Sequence, residues 1–363
     1  MGETSAPAGS RWGAPDALRQ FAKAMFVARG LPDEAAAIVA DNLLHADLRG
    51  HASHGVTRIP IYVERLARGV VNARPDIRVT RTRPGVALVD GDNGMGAVVA
   101  DLAMKQAIGL AAETGVGIAS IRASNHNGPA SFFAMQALEQ GCIGVSSTNS
   151  PVSMAVWGSR GRALGTNPIA LAVPAGRHAS IVADMSSSVV ARGKIVEAAK
   201  RGDPIPPDWA LDAEGRPTTD PKAAEAGVML PFAGPKGSAL AVLVDVLCGV
   251  LSGAAFGRLV SNLYADFSNP QNNGQFMMAI DVAGFMPPED FRRRVDDLVD
   301  MLKVTPRAAG VEEILMPGEP EARTAARFAR AGIPLPANVV EDLRKAADAA
   351  GVAMPPLAAE PLA

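Results

Sequence analysis

Three of the chain's five histidines fall in two short polar stretches, His51-Ala-Ser-His-Gly-Val-Thr-Arg58 and Ser124-Asn-His-Asn-Gly-Pro129. Histidine is the usual proton donor or acceptor near neutral pH, because its unperturbed pKa is about 6.5. Ser53 can orient the His54 ring through a hydrogen bond. Arg58 follows four residues later, on the same face if the segment is helical, and its fork can grip a carboxylate at two points. One proton donor, one orienting hydroxyl and one anion clamp suit a small oxo- or hydroxy-acid. An arginine four residues after a histidine is also an ordinary helix pattern, so chemistry alone leaves the catalytic reading open. His51 and His54 form a His-x-x-His pair as well. Zinc usually needs three or four protein ligands, and neither His-Glu-x-x-His nor Cys-x-x-Cys occurs, so no metal is expected.

Composition narrows the class. The chain has 363 residues, enough for two or three domains. Hydrophobic residues make up 48% and charged residues 20%, a globular balance, and a net charge of −2 offers no field for nucleic acid or an acidic membrane. Aromatics at 4% argue against base-stacking platforms. Cys142 and Cys248 lie in apolar surroundings, which suggests a reducing cytoplasm and no disulfide framework. Residues 1–10 are small and polar and do not read as a secretory leader. The apolar run Ser238 to Phe256 carries Asp245 at its middle, costly in lipid, and reads as a buried core helix.

The elements that must position these groups follow from periodicity and punctuation. Residues 14–29 and 33–48 read as two helices parted by Gly30-Leu-Pro32, and the second delivers the chain to His51. Ile59 to Ala67 reads as helix. Val86–Val89 and Gly117–Ile121 read as strands flanking a helix from about 97 to 114. Further strands are expected at 142–146, 169–173, 181–184 and 276–281. Helices are expected near 132–139, 193–199, 288–302, 320–331 and 338–349. Residues 202–224 read as a surface loop, and the tail from Pro355 as loose. The strand–turn–helix–strand order after Val86 suggests a dinucleotide fold, but Gly91, Gly94 and Gly96 are spaced G-x-x-G-x-G, which is not the phosphate-binding fingerprint. Phe232-Ala-Gly-Pro-Lys-Gly237 precedes a helix and would suit an anion or serve as a plain loop.

Taken in order, several pieces resemble the type-2 malate/L-lactate dehydrogenases. That family also holds sulfolactate, ureidoglycolate and diketogulonate oxidoreductases and the Δ1-piperideine-2-carboxylate reductases. The matching marks are Gly50-His-Ala-Ser-His-Gly55 with Arg58, Ser124-Asn-His-Asn-Gly128 and Leu164-Gly-Thr-Asn-Pro168. They continue with Asp184-Met-Ser186, Gly193-Lys-Ile195, Gly234-Pro-Lys-Gly237, Leu251-Ser-Gly-Ala254 and Met316-Pro-Gly-Glu319.

The resemblance implies an α/β fold that is not of the Rossmann type. It would have a helical N-terminal part (1–75), a central cofactor domain on a largely antiparallel sheet (76–285), and a C-terminal helical part (286–363) packing back on the first. It implies a cytoplasmic homodimer using NAD or NADP, with a small carboxylate substrate and no nucleic acid or membrane partner. The activity implied is hydride transfer to or from C2 of a 2-oxo or 2-hydroxy acid; the nearest alternative is reduction of the C=N bond of a cyclic imino acid, and from the residues alone a more distant one is a metal-dependent hydrolase using His51, His54 and His126.

By position, His54 with Ser53 resembles the family's proton relay, and His126 takes that role in some members. Arg58 and Thr166 would hold the substrate. His126, Asn127, Gly128, Pro129, Asp184, Met185, Ser186, Lys236, Gly237, Gly318 and Glu319 would lie at the cofactor. The chain departs from the family at Asn127, where an aromatic is usual, and at Ala52, where a polar residue is common. Lys194 stands where some piperideine-carboxylate reductases carry a relay acid.

Overall fold

The structure is a computed structural model and describes residues 9–362. Its centre is a seven-stranded sheet. In spatial order the strands are Arg78–Arg83, Val86–Asp90, Val116–Ser124, Asn273–Asp281, Cys142–Thr148, Ile169–Val173 and Ile181–Met185. Every neighbouring pair is antiparallel except Val86–Asp90 with Val116–Ser124, which run parallel in the register Val86 to Ile118. A parallel pair needs a crossover, and the helix Gly96–Thr114 supplies it.

Small residues let the helices lie close to this sheet. A Cβ on Gly117 would meet the Ala107 carbonyl oxygen at 1.9 Å, and one on Gly144 would meet that of Ala134 at 2.1 Å. The crossover helix accordingly presents Ala100, Ala103, Ala107 and Ala111, all fully buried, to the strands. The outer strand Arg78–Arg83 is exposed along its whole length. Its arginines discourage edge-to-edge pairing with other chains.

The chain ends meet. Helices Pro15–Val27 and Asp33–Leu48 pack through Leu18, Phe21, Met25, Val39 and Leu43. Just before them, Arg11–Gly13 forms the middle strand of a three-stranded sheet, between Ile333–Leu335 and Leu357–Ala358. The tail expected to be loose is therefore tied down by pairing with Trp12 and Gly13. The stretch 202–224 also departs from a plain loop. Ala210–Leu211 joins Val228–Met229, Met154–Ala155 and Arg162–Leu164 in a small four-stranded sheet, and Pro221–Ala226 is a short helix.

The apolar run after Ser238 is helical over Pro235–Asp245 and continues as a π-helical turn, Val246–Val250. It is not a buried core helix. Ala241, Val244 and Cys248 are buried, whereas Leu243, Val246, Val250 and Leu251 stand in the open. Asp245 is turned inward, accepting from Asn149 Nδ2 and Gly257 N. Among the described residues no helix is long and apolar enough to cross a membrane.

Candidate active site

The first polar stretch leaves helix Asp33–Leu48 and makes two 3-10 turns, Ala52–His54 and Val56–Arg58. It is not one continuous helix, and the reason is Asp47. Its buried carboxylate accepts from Val56 N at 2.7 Å and packs on Gly55, where a Cβ would collide with Oδ1 at 1.8 Å. Burial raises the Asp47 pKa to about 7, against the lowering effect of the Val56 hydrogen bond.

The break folds Arg58 back. Its Nε donates to the Ser53 carbonyl at 2.6 Å, and its guanidinium lies 5.4 Å from the centre of the Tyr264 ring. Among the described residues neither Nη of Arg58 makes a hydrogen bond, so the end of the fork is free for a carboxylate. Ser53 Oγ lies 2.9 Å from His54 Nδ1, leaving the Nε2 edge available.

The second stretch begins where strand Val116–Ser124 ends, and its backbone is held on several sides. Asn125 Nδ2 donates to the carbonyls of Asn93 and Gly94. Gln275 Nε2 donates to Ser124 Oγ and to the Asn125 carbonyl. His126 N donates to Gln271 Oε1 at 3.1 Å. The glycine-rich turn serves packing here. A Cβ on Gly96 would meet the Asn125 carbonyl oxygen at 2.0 Å. The His126 ring stacks on His54, centroids 5.7 Å apart and planes 22° apart, and its Nδ1 lies 2.5 Å from the Tyr62 hydroxyl.

Two imidazoles and a guanidinium thus share one partly enclosed space. Burial is the main cause that lowers the His54 pKa to about 3, with Arg58 and His51 adding to it. Burial, Arg58 and His54 hold His126 well below the usual histidine range. Burial pushes Tyr62 up to about 12, although Arg58 pulls the other way. Without an anion bound, both rings are neutral at pH 7.

Residues 14–344 match the family model described as malate/L-lactate dehydrogenase. The chain belongs to that family. The L-sulfolactate dehydrogenase of Methanothermobacter thermautotrophicus is 40% identical over 330 residues, covering 90% of this chain and 94% of that protein. The ureidoglycolate dehydrogenase (NAD(+)) of Escherichia coli K12 is 37% identical, covering 90% and 92%. The solved malate dehydrogenase of Pyrococcus horikoshii OT3 superposes with a TM-score of 0.89 at 37% identity, covering 97% of this chain and 99% of that one. This member of the malate/L-lactate dehydrogenase family is an oxidoreductase acting on a CH–OH group, and a nicotinamide cofactor is implied.

The segments expected to touch such a cofactor are linked by hydrogen bonds and close packing. Asn127, Gly128 and Pro129 lead into helix Ala130–Gln136, and Ser131 N donates to Asp184 Oδ2 at 2.9 Å. Val182 N donates to the Pro317 carbonyl, and Gly318 lies against Val182. Ser187 ties the other side: its N donates to the Thr166 carbonyl, and its carbonyl accepts from Phe232 N, which precedes Lys236 and Gly237. Met185 is exposed, Ser186 bonds locally to Ser188, and Lys236 projects outward.

Asn127 is only 1% exposed, and among the described residues neither amide atom has a partner. Glu319 has its carboxylate engaged by Lys303, Arg323 and Met316 N. Among the described residues Thr166 bonds to Ser150 and Ser187 but not to Arg58, so the two expected substrate holders sit in separate hydrogen-bond groups.

Arg49 tests whether an anionic dinucleotide fits these segments. It is 8% exposed, its Nε has no partner among the described residues, and it feels the charges of Glu321 and Asp184. A buried guanidinium without a hydrogen-bonded anion is costly. A pyrophosphate would supply that anion, and the residues present fit the group.

Sequence reasoning missed Tyr62, Tyr264, Asp47, Arg49 and Gln271. One signal was available. The chain has only two tyrosines, and one meets His126 while the other covers Arg58.

Proposed function

We propose that this protein catalyses reversible hydride transfer between a nicotinamide cofactor, NAD or NADP, and C2 of a small 2-oxo or 2-hydroxy acid. The observation that carries this reading is the free end of the Arg58 fork beside two stacked neutral imidazoles. Arg58 binds the substrate carboxylate end-on and fixes which face of C2 is presented. His54, oriented by Ser53 on Nδ1, exchanges the proton on the C2 oxygen through Nε2. In the reductive direction it protonates the oxygen as charge develops there; in the oxidative direction it takes the hydroxyl proton. Binding a carboxylate at Arg58 cancels much of the cation that disfavours protonated His54, so substrate binding and proton uptake are coupled.

His126 through Pro129, Asp184 through Ser186, Lys236–Gly237, Gly318 and Glu319 would line the cofactor. Glu319 contributes as a strut, and Arg49 faces the pyrophosphate. Bound there, the nicotinamide supplies or receives the hydride. We assign the three parts 1–75, 76–285 and 286–363, with the cofactor on the mostly antiparallel sheet, outside a Rossmann framework. The protein works in the cytoplasm as a homodimer. The exposed apolar side chains of Leu243, Val250, Leu251 and Leu259, the last two 61% and 66% exposed, support the dimer.

The test is to follow nicotinamide absorbance with NADH and with NADPH across a panel of 2-oxo acids and cyclic imino acids. Loss of absorbance with an oxo acid is expected. Loss with a cyclic imine alone overturns this reading in favour of C=N reduction.

A further inference from the structure

His126 and Tyr62 form a buried pair whose polarity can be read from its surroundings. Tyr62 lies on helix Ile59–Ala67, one turn beyond Arg58, and is 4% exposed. Its hydroxyl is 2.5 Å from His126 Nδ1. A hydroxyl can donate or accept, so this distance alone does not say which ring nitrogen holds the proton. Gly128 decides it. Its backbone N–H points at the same Nδ1 from 3.3 Å, and a backbone N–H can only donate. Nδ1 therefore presents its lone pair, the tyrosine hydroxyl donates to it, and the single proton of the neutral ring sits on Nε2. The main chain of His126 is fixed separately through Gln271, and the Gly128 contact is long at 3.3 Å, so the short Tyr62 bond is the main hold on the ring.

We propose that Tyr62 is a positioning residue that locks His126 as its Nε2–H tautomer, so that His126 donates a fixed hydrogen bond to the C2 oxygen while His54 exchanges the proton. The proposal rests on the hydride-transfer reading above. In reduction, a hydride that the reduced nicotinamide would supply, being oxidised in turn, forms the C–H bond at C2 as the C=O π bond breaks and its electron pair moves to oxygen. His126 Nε2–H stabilises that charge without giving up its proton, because loss would leave an imidazolate. The proton comes from the imidazolium of His54, which returns to neutral imidazole. A donor that does not change protonation state keeps its orientation through the whole step. The partner of one ring nitrogen sets the state of the other, and the wrong tautomer puts a lone pair where the N–H is needed.

The experiment is long-range proton–nitrogen correlation on protein labelled with 15N-histidine, with His126 assigned through His126→Gln. Steady-state kinetics are run on the same samples. The native protein is expected to show His126 bare at Nδ1 and protonated at Nε2. In Tyr62→Phe, which keeps the ring and loses the hydroxyl, an Nδ1-protonated population appears. At the same time kcat falls by roughly 10- to 100-fold while KM for the oxo acid changes little. A native ring protonated on Nδ1 overturns the proposal with no variant needed. So does a variant in which only one of the two readouts moves, because an unspecific packing loss would not be confined to kcat and the tautomer together. If the tautomer shifts as expected but the native protein reduces no 2-oxo acid, the hydride-transfer reading fails and the Tyr62–His126 assignment stands.

Discussion

His54 and His126 present the same side chain from opposite kinds of support. His54 rides on a 3-10 turn whose neighbours Ala52 and Ser53 are exposed, and among the described residues its ring has one hydrogen-bond partner, Ser53. His126 sits in a buried loop with its backbone on Gln271, its Nδ1 between Tyr62 and Gly128, and its neighbour Asn125 bonded to Asn93 and Gly94. A ring that must gain and lose a proton has to reorganise its partners as its charge changes. A ring that only stabilises charge works best when nothing around it moves. On the proposed reading the same imidazole does two jobs in one site, with the backbone around each deciding which.

Substitution should separate the two most sharply. His54→Gln is expected to lower kcat by roughly 10²- to 10⁴-fold in both directions, the range for loss of a general acid–base. His126→Gln keeps an N–H donor on its side chain and should lose less, roughly 10-fold. Initial-rate kinetics with saturating cofactor measure both, and equal losses would erase the distinction. The next effect falls on Arg58. With Nε committed to the Ser53 carbonyl, only the two Nη atoms remain to meet a carboxylate. Arg58→Lys replaces that fork with a single ammonium and should raise KM for the oxo acid by roughly 10- to 100-fold, with a smaller change in kcat. A reversed pattern, kcat falling with KM constant, would mean that Arg58 acts on the reacting oxygen and not on the carboxylate.

How much of this was legible in the sequence follows from what each feature depends on. Histidine, arginine and serine spaced over His51–Arg58 stand out in an apolar chain, and their placing together needed no more than residue type. The strands and helices around the central sheet carry clear periodicity. The break at Gly55 was not legible, because it is made by Asp47 reaching across from the preceding helix. Tyr62 was hidden for the same reason: its partner lies 64 positions away. The helix after Gly234 misled because composition reports that a face is apolar and not what covers it. The two-residue strand Leu357–Ala358 has no pattern of its own and exists only because the edge of Arg11–Gly13 accepts it.

Asp47 offers a way to ask what holds the looser of the two supports. Its folded pKa is raised from the ordinary 3.8 to about 7. A raised acid favours the folded state while it is protonated. Its contribution is full below pH 3.8 and is lost as pH rises through 7. Asp47→Asn keeps an oxygen for Val56 N and removes the titration. The variant should show a flatter dependence of Tm on pH between about 4 and 7 and should be more stable than the native chain at pH 8, by at most about 4 kcal/mol. An unchanged pH profile in a thermal-melt series would mean that Asp47 is ionised in the fold and that its charge is balanced elsewhere.

The smallest expected effect belongs to Tyr264, which covers Arg58 from a loop that is itself fastened to the helix bearing Tyr62. Arg65 on that helix is 1% exposed and donates from Nη1 to the carbonyls of Leu263 and Asp266, on either side of Tyr264. One helix thus sets both tyrosines, one against His126 and one against Arg58. The Tyr264 ring is 57% exposed, so its cation–π contact is worth only about 0.5–1 kcal/mol. Tyr264→Ala should therefore raise KM by roughly 2- to 5-fold and leave kcat near native. Tyr264→Phe, which keeps the ring face, should restore KM. If Phe fails to rescue, the hydroxyl touches the substrate directly, and Tyr264 belongs with the groups that read the acid's side chain instead of those that steady its clamp.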